Sequence, residues 1–178
     1  MTDLRETVAS RLAARYTKLA GWVSELSAPL SDEQFWTKPF PFGNSFGHLV
    51  LHLTGNLNYY IGAQIAGTGY VRDRPREFAE AARPSKKEVL QRFEEAVEMV
   101  VRTIRSQSAA DWSVAYAAVG VDAQNRFEIV LQCATHLHHH IGQMMYLGFE
   151  LKQKGRDDPR RDSRPRLSGR AKPGLSRG

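Results

Sequence analysis

The chain has 178 residues, 42% of them hydrophobic and 25% charged, which is the size and apolar content of one globular domain with a real core. Disorder along the whole length is excluded, two full domains are not expected at this length, and a membrane-spanning helix is excluded because every apolar stretch is broken within about ten residues and roughly 20 are needed to cross a bilayer. The net charge of +6 resides in the last segment: residues 1–150 carry 15 Lys and Arg against 16 Asp and Glu, and residues 151–178 carry 10 against 3, so the basic pI does not describe the folded domain.

Apolar residues at Leu4, Val8, Leu12, Tyr16, Leu19, Trp22, Val23 and Leu26 predict an amphipathic helix over 3–27, closed by Ala28-Pro29. Residues 29–43, with Phe35, Trp36, Phe40 and Phe42, read as a packed connection holding one helical turn after Ser31. Asn44 or Ser45 caps a second helix from Phe46 to Ala66, stopped by Gly67-Thr68-Gly69. Residues 70–84 are charged, contain two prolines and are expected to form a crossover loop. Ser85-Lys86-Lys87-Glu88 has capping-box spacing and opens a third helix to about Gln107. A second loop covers 108–124, and Asn125 to Glu128 starts a fourth helix running to about Gln153.

Four long helices predict an all-α fold, a four-helix bundle over residues 1–155. Residues 156–178 are Arg, Pro, Gly and Ser with almost no apolar content, and are expected to form a flexible basic tail. The tail lacks aromatics, so base stacking is missing and a nucleic-acid partner is disfavoured. The first residues, Met1-Thr2-Asp3-Leu4-Arg5-Glu6, lack the basic and apolar regions of a secretory signal, and the single cysteine, Cys133, has no partner for an internal disulfide. A cytoplasmic location is the expectation.

All six histidines fall on two helices: His48 and His52 on the second, and His136, His138, His139 and His140 on the fourth. Residues four apart share a helix face, and both His48/His52 and His136/His140 have that spacing. Counting 100° per residue from Ile129, His136 lies at about −20° and His140 at about +20°, on the apolar stripe with Cys133, Met144 and Leu147, whereas His138 near 180° and His139 near 280° point away or sideways and are expected to be solvated. On the second helix His52 borders the apolar arc and His48 lies about 40° further out, so His52 is the third inward imidazole. Asn56, one turn on, is a candidate to support a metal-ligating group, and Gln143, one turn past His140, to hydrogen-bond a ligand or a bound water.

Three neutral imidazoles from two helices suit zinc, nickel or another borderline divalent ion and leave an open position at which a water or a thiol is acidified. The competing reading, a satisfied core histidine, fits any one of these residues taken alone. Cys133, one turn before His136, is a supplementary ligand, a reactive thiol or simple packing. Tyr59, Tyr60 and Trp36 line a pocket over the open position or fill the core. His-Glu-x-x-His, Glu-x-x-His, phosphate-loop and Gly-x-Ser-x-Gly motifs are absent, which argues against zinc proteases, di-iron centres, nucleotide hydrolases and serine hydrolases.

The segments Ser45-Phe46-Gly47-His48-Leu49-Val50-Leu51-His52-Leu53-Thr54-Gly55-Asn56 and His136-Leu137-His138-His139-His140-Ile141-Gly142-Gln143 resemble the DinB/YfiT-like metalloenzymes of the DinB superfamily. The resemblance covers about residues 1–153. It implies an up-down-down-up bundle with a long crossover, His52, His136 and His140 as ligands of zinc or nickel, and frequently a homodimer. Characterised relatives include transferases and isomerases that use small thiols, so the resemblance implies a thiol-dependent transferase acting on an electrophilic substrate, or a metal-dependent hydrolase. A non-catalytic, stress-related metal-binding dimer is the alternative. His48 stands where similar sequences often have Asn, which adds a fourth or alternative imidazole near the ion.

Overall fold

A computed structural model of the chain describes residues 3–79 and 82–156. In chain order the elements are α1 (Leu4–Ser27), α2 (Asp32–Trp36), α3 (Phe46–Leu57), a π-helical segment (Asn58–Ala63), α4 (Arg74–Ala79), α5 (Lys86–Ser106), α6 (Ala109–Trp112) and α7 (Arg126–Arg156). The all-α expectation holds: among the described residues there is no strand, only an isolated bridge between Ala115 and Asn125. None of these helices is long and apolar enough to cross a membrane.

Side-chain oxygens set where the helices begin. Asp3 accepts from the backbone of Arg5, Ser31 from Gln34, Ser45 from His48, Ser85 from Glu88 and Ser108 from Asp111, each satisfying a donor that the first helical turn leaves without an internal partner. Ser31 with Gln34 forms a full capping box, whereas Ser85 supplies the forward bond to Glu88. Asn125 Oδ1 accepts from Glu128 N at 2.9 Å and the Glu128 carboxylate accepts from Gln124 N at 2.8 Å, which starts α7 where the sequence predicts.

α1 packs on α5 and α7, and α3 packs on the same two helices, and all four contribute side chains to one buried core. Tyr16, Phe46, Leu53, Phe93, Ile104, Leu137 and Met144 are fully buried in it. Tyr16 donates its hydroxyl to the Val130 carbonyl at 2.7 Å, which satisfies the polar end that burial would otherwise strand.

The amphipathic helix expected over 3–27 is α1, whose buried residues include Ala9, Ala13, Tyr16, Leu19 and Val23, while Leu4 is exposed and Val8, Leu12 and Trp22 are partly covered. Three other expectations need correction. The second helix is not α-helical to Ala66, because bonds such as Gln64 N to Tyr59 O at 3.3 Å and Ala66 N to Ile61 O at 3.0 Å skip one residue. The crossover is not purely loop, since it contains α4: Asp73 Oδ1 accepts from Arg76 N at 3.2 Å, and Pro75 in the first turn has no amide to satisfy. The loop over 108–124 likewise holds α6. The flexible tail expected over 156–178 lies outside the described residues beyond Arg156, the last residue of α7.

Candidate metal centre

Ser45 caps α3 and sets its register, so that His52 emerges beneath α4 and opposite α7. One nitrogen from each of His52, His136 and His140 can be chosen so that all three lie within 4.8 Å of one another. His52 Nε2 is 3.0 Å from His136 Nε2, and the ring centroids are 4.5 to 5.1 Å apart. Three nitrogens sharing one tetrahedral ion at zinc–nitrogen distances of 2.0–2.1 Å stand about 3.3 Å apart. The cluster therefore reaches that arrangement through side-chain adjustments of an ångström or so.

Outer hydrogen bonds set which nitrogen two of the rings offer. Glu77 Oε2 accepts from His52 Nδ1 at 2.8 Å, which leaves Nε2 with the lone pair. Gln143 Oε1 accepts from His140 Nδ1 at 2.8 Å, with the same effect, and Gln143 Nε2 lies 3.2 Å from His139 Nε2. Gln143 thus orients a ring of the cluster, the role its position one turn past His140 suggests. Arg72 grips Glu77 with two hydrogen bonds, Nε to Oε1 at 2.7 Å and Nη2 to Oε2 at 2.9 Å. Phe78 lies against the His52 ring at a centroid distance of 4.8 Å.

These contacts fix the protonation states. Burial alone would raise the Glu77 carboxyl, but hydrogen bonds from His52 and Arg72, together with their charges, hold it below the usual carboxylate range. Burial first, then the neighbouring His140, His52 and His139 rings and Arg72, push His136 down to about 4. Burial lowers His140 as well, partly opposed by its bond to Gln143. Both are therefore neutral at physiological pH, the form in which imidazole binds a metal.

A cleft of about 1060 Å³ opens beside the cluster, lined by His52, His136, Asn56, Tyr59, Tyr60 and Cys133 among others, with Arg72 and Arg74 at its edge. Tyr60 donates to the Val119 carbonyl at 3.1 Å and Tyr116 to the Tyr60 carbonyl at 2.9 Å, so the 113–125 loop is tied to the π-helical segment and forms one wall.

The other residues singled out from the sequence separate clearly. Tyr59 and Tyr60 face the cleft, but Trp36 does not: it is buried elsewhere, donating to the Pro84 carbonyl at 2.9 Å and meeting His48 edge-on. His48 Nδ1 is 2.6 Å from Ser45 Oγ, and this ring stays outside the cluster. Cys133 borders the cleft, yet burial pushes its thiol up to about 12, so it is an inert thiol rather than a ready nucleophile. His138 is exposed, against Trp22 and Arg15. His136 and His140 are half-buried rather than central: Ile129 marks one edge of the α7 core stripe, whose deeper positions are Leu137, Ile141 and Met144.

Glu77 and Arg72 were not found from the sequence, because they come from a segment read as loop. The Asp73-x-Pro75 start of a short helix was the one signal that pointed there. A family model described as the DinB superfamily matches residues 11–144, a span that contains all three imidazoles, Glu77 and the cleft. No curated protein matches the chain.

Proposed function

The chain belongs to the DinB superfamily, and from that premise we propose that it is a metal-dependent enzyme in which His52, His136 and His140 hold one divalent ion, zinc or nickel, and a small thiol is delivered to an electrophile in the adjoining cleft. The observation that carries this reading is the convergence of three imidazole donors within 4.8 Å, two of them with the outer nitrogen already tied to an acceptor. A divalent ion bound by neutral imidazoles supplies an open position and the charge that keeps a thiol of ordinary pKa near 8.5 deprotonated at neutral pH.

The chain's own groups do the remainder. Glu77 keeps the proton on His52 Nδ1, so Nε2 stays a donor to the ion, and Gln143 does the same for His140. Arg72 and Arg74 put positive charge beside the cleft, where it favours an anionic sulfur and the negative charge that builds on an electrophile under attack. Burial raises the Cys133 thiol and disfavours its thiolate, so in this reading the attacking sulfur comes from an outside thiol. That thiol loses its proton to solvent before attack, and as the carbon–sulfur bond forms the bond to the electrophile's leaving group breaks, that group departing with its electron pair, as chloride does from 1-chloro-2,4-dinitrobenzene.

Elemental analysis of the wild type beside His140→Ala is the first test, with one equivalent of ion expected in the former and loss of it in the latter. Thiol consumption with 1-chloro-2,4-dinitrobenzene as electrophile, with and without a chelator, is the second. Turnover that stops on chelation supports the transferase. Metal-dependent ester hydrolysis in its place identifies the hydrolase, and bound ion without either activity identifies a metal-binding protein that is not an enzyme.

A further inference from the structure

We propose that Asn56 is a specificity-determining residue, which selects ligands carrying an amide about one helical turn from the ion. Asn56 is only 7% exposed, its Oδ1 is wholly buried with no hydrogen-bond partner among the described residues, and it lines the cleft beside His52 and His136. It follows His52 by four residues on α3, which places the two Cβ atoms about 5–6 Å apart on one face.

A buried carbonyl left unpaired is costly, and native structures rarely keep one without a purpose. Two donors lining the cleft point away from it: Tyr60 gives its hydroxyl proton to Val119 O, and Arg72 turns Nε and Nη2 to Glu77. An occupant of the cleft that brings an N–H supplies the donor Oδ1 lacks. An ammonium is disfavoured by Arg72 and Arg74 at the same opening and by the ion itself. A neutral planar amide fits best, because its N–H pairs with Oδ1 while its carbonyl receives the Nδ2 protons of the same side chain. The use of thiol probes rests on the function proposed above; the preference for an amide does not.

The test uses the full chain loaded with cobalt(II), whose thiolate charge-transfer absorption reads capture of the sulfur. Two thiols of matched length are compared: 3-mercaptopropionamide, which has N–H donors, and methyl 3-mercaptopropionate, which has none. The amide is expected to bind about tenfold more tightly and to shift the Asn56 side-chain NMR resonance saturably. In Asn56→Leu the ratio falls to about one. Equal affinities in the wild type, or an Asn56 resonance that the amide does not move, overturn the proposal and leave Oδ1 satisfied by water only. If neither thiol gives the absorption, the thiol reading fails by itself. Propionamide against methyl propionate, followed at the Asn56 resonance of the metal-free protein, then decides the amide question in the same two directions. Should Asn56→Leu not fold, the wild-type ratio and resonance decide between the same two outcomes.

Discussion

Glu77 is the residue through which the proposed metal site is tested most directly. Its carboxylate fixes the His52 tautomer and is itself gripped by Arg72. Such outer partners typically change metal affinity by about 10- to 100-fold. Glu77→Gln is expected to lower affinity by that order in competition with a chromophoric chelator; an unchanged value would show that His52 needs no partner to bind. Gly55 tests the same contact from the opposite side. A Cβ at Gly55 would lie 2.0 Å from Glu77 Oε1, so Gly55→Ala forces the carboxylate away. Since Ala favours a helix interior over Gly by about 1 kcal/mol, the urea midpoint should move little while metal retention falls. A variant that keeps both would mean the carboxylate has room to move without releasing His52.

Among the elements, α4 depends on its surroundings more than the long helices do. Six residues cannot sustain a helix alone, because nucleation is unfavourable and isolated helices shorter than about 12 residues are marginal in water. What holds it is the packing of α4 on α3 together with the bonds from Glu77 to His52 and Arg72. Hydrogen exchange should therefore show the amides of 74–79 losing protection in Glu77→Ala while those of α3 keep theirs; equal protection in both proteins would remove the ion-pair cluster from the account of how α4 forms. The π-helical segment behaves as part of the same assembly. Its wider turn follows the α3 stretch that bears His52 and carries Tyr59 and Tyr60 to the cleft wall, and π turns commonly occur at functional sites. The sequence indicates a continuous helix there, since apolar periodicity is nearly the same for one α turn and one π turn.

The molecule as a whole responds to acid through the same groups. An imidazole whose folded pKa lies below its free value binds fewer protons when folded, so protons favour unfolding. For His136 the contribution is complete above about 6.5 and lost as the pH falls toward about 4; the lowered Glu77 carboxyl adds a loss in the same direction below 4.5. The urea midpoint of metal-free protein should thus be flat from pH 8 to 7 and decline steadily from 6.5 to 4, and a midpoint rising over that interval would contradict the assigned states. A second property concerns the outside of α7, where Leu131, Met145 and Phe149 are 44%, 45% and 59% exposed. We propose this apolar face as the surface through which two chains pair. Sedimentation should give the mass of two chains for the wild type and of one for Leu131→Lys combined with Phe149→Lys; an identical mass for both proteins would place any pairing elsewhere.

Local pattern was enough to place the long helices and the three imidazoles, because period-3.6 apolar spacing, side-chain caps and His-x3-His keep their meaning without knowledge of neighbours. Gln143 was marked for the same reason. Packing between distant segments settled that His48 belongs with Ser45 and Trp36, that Trp36 stays out of the cleft, and that Glu77 and Arg72 complete the site. Those outcomes depend on which segment covers His52. A charged stretch with two prolines carries little periodicity to announce that it folds back onto α3, and its short helix is stable only once the contact has formed.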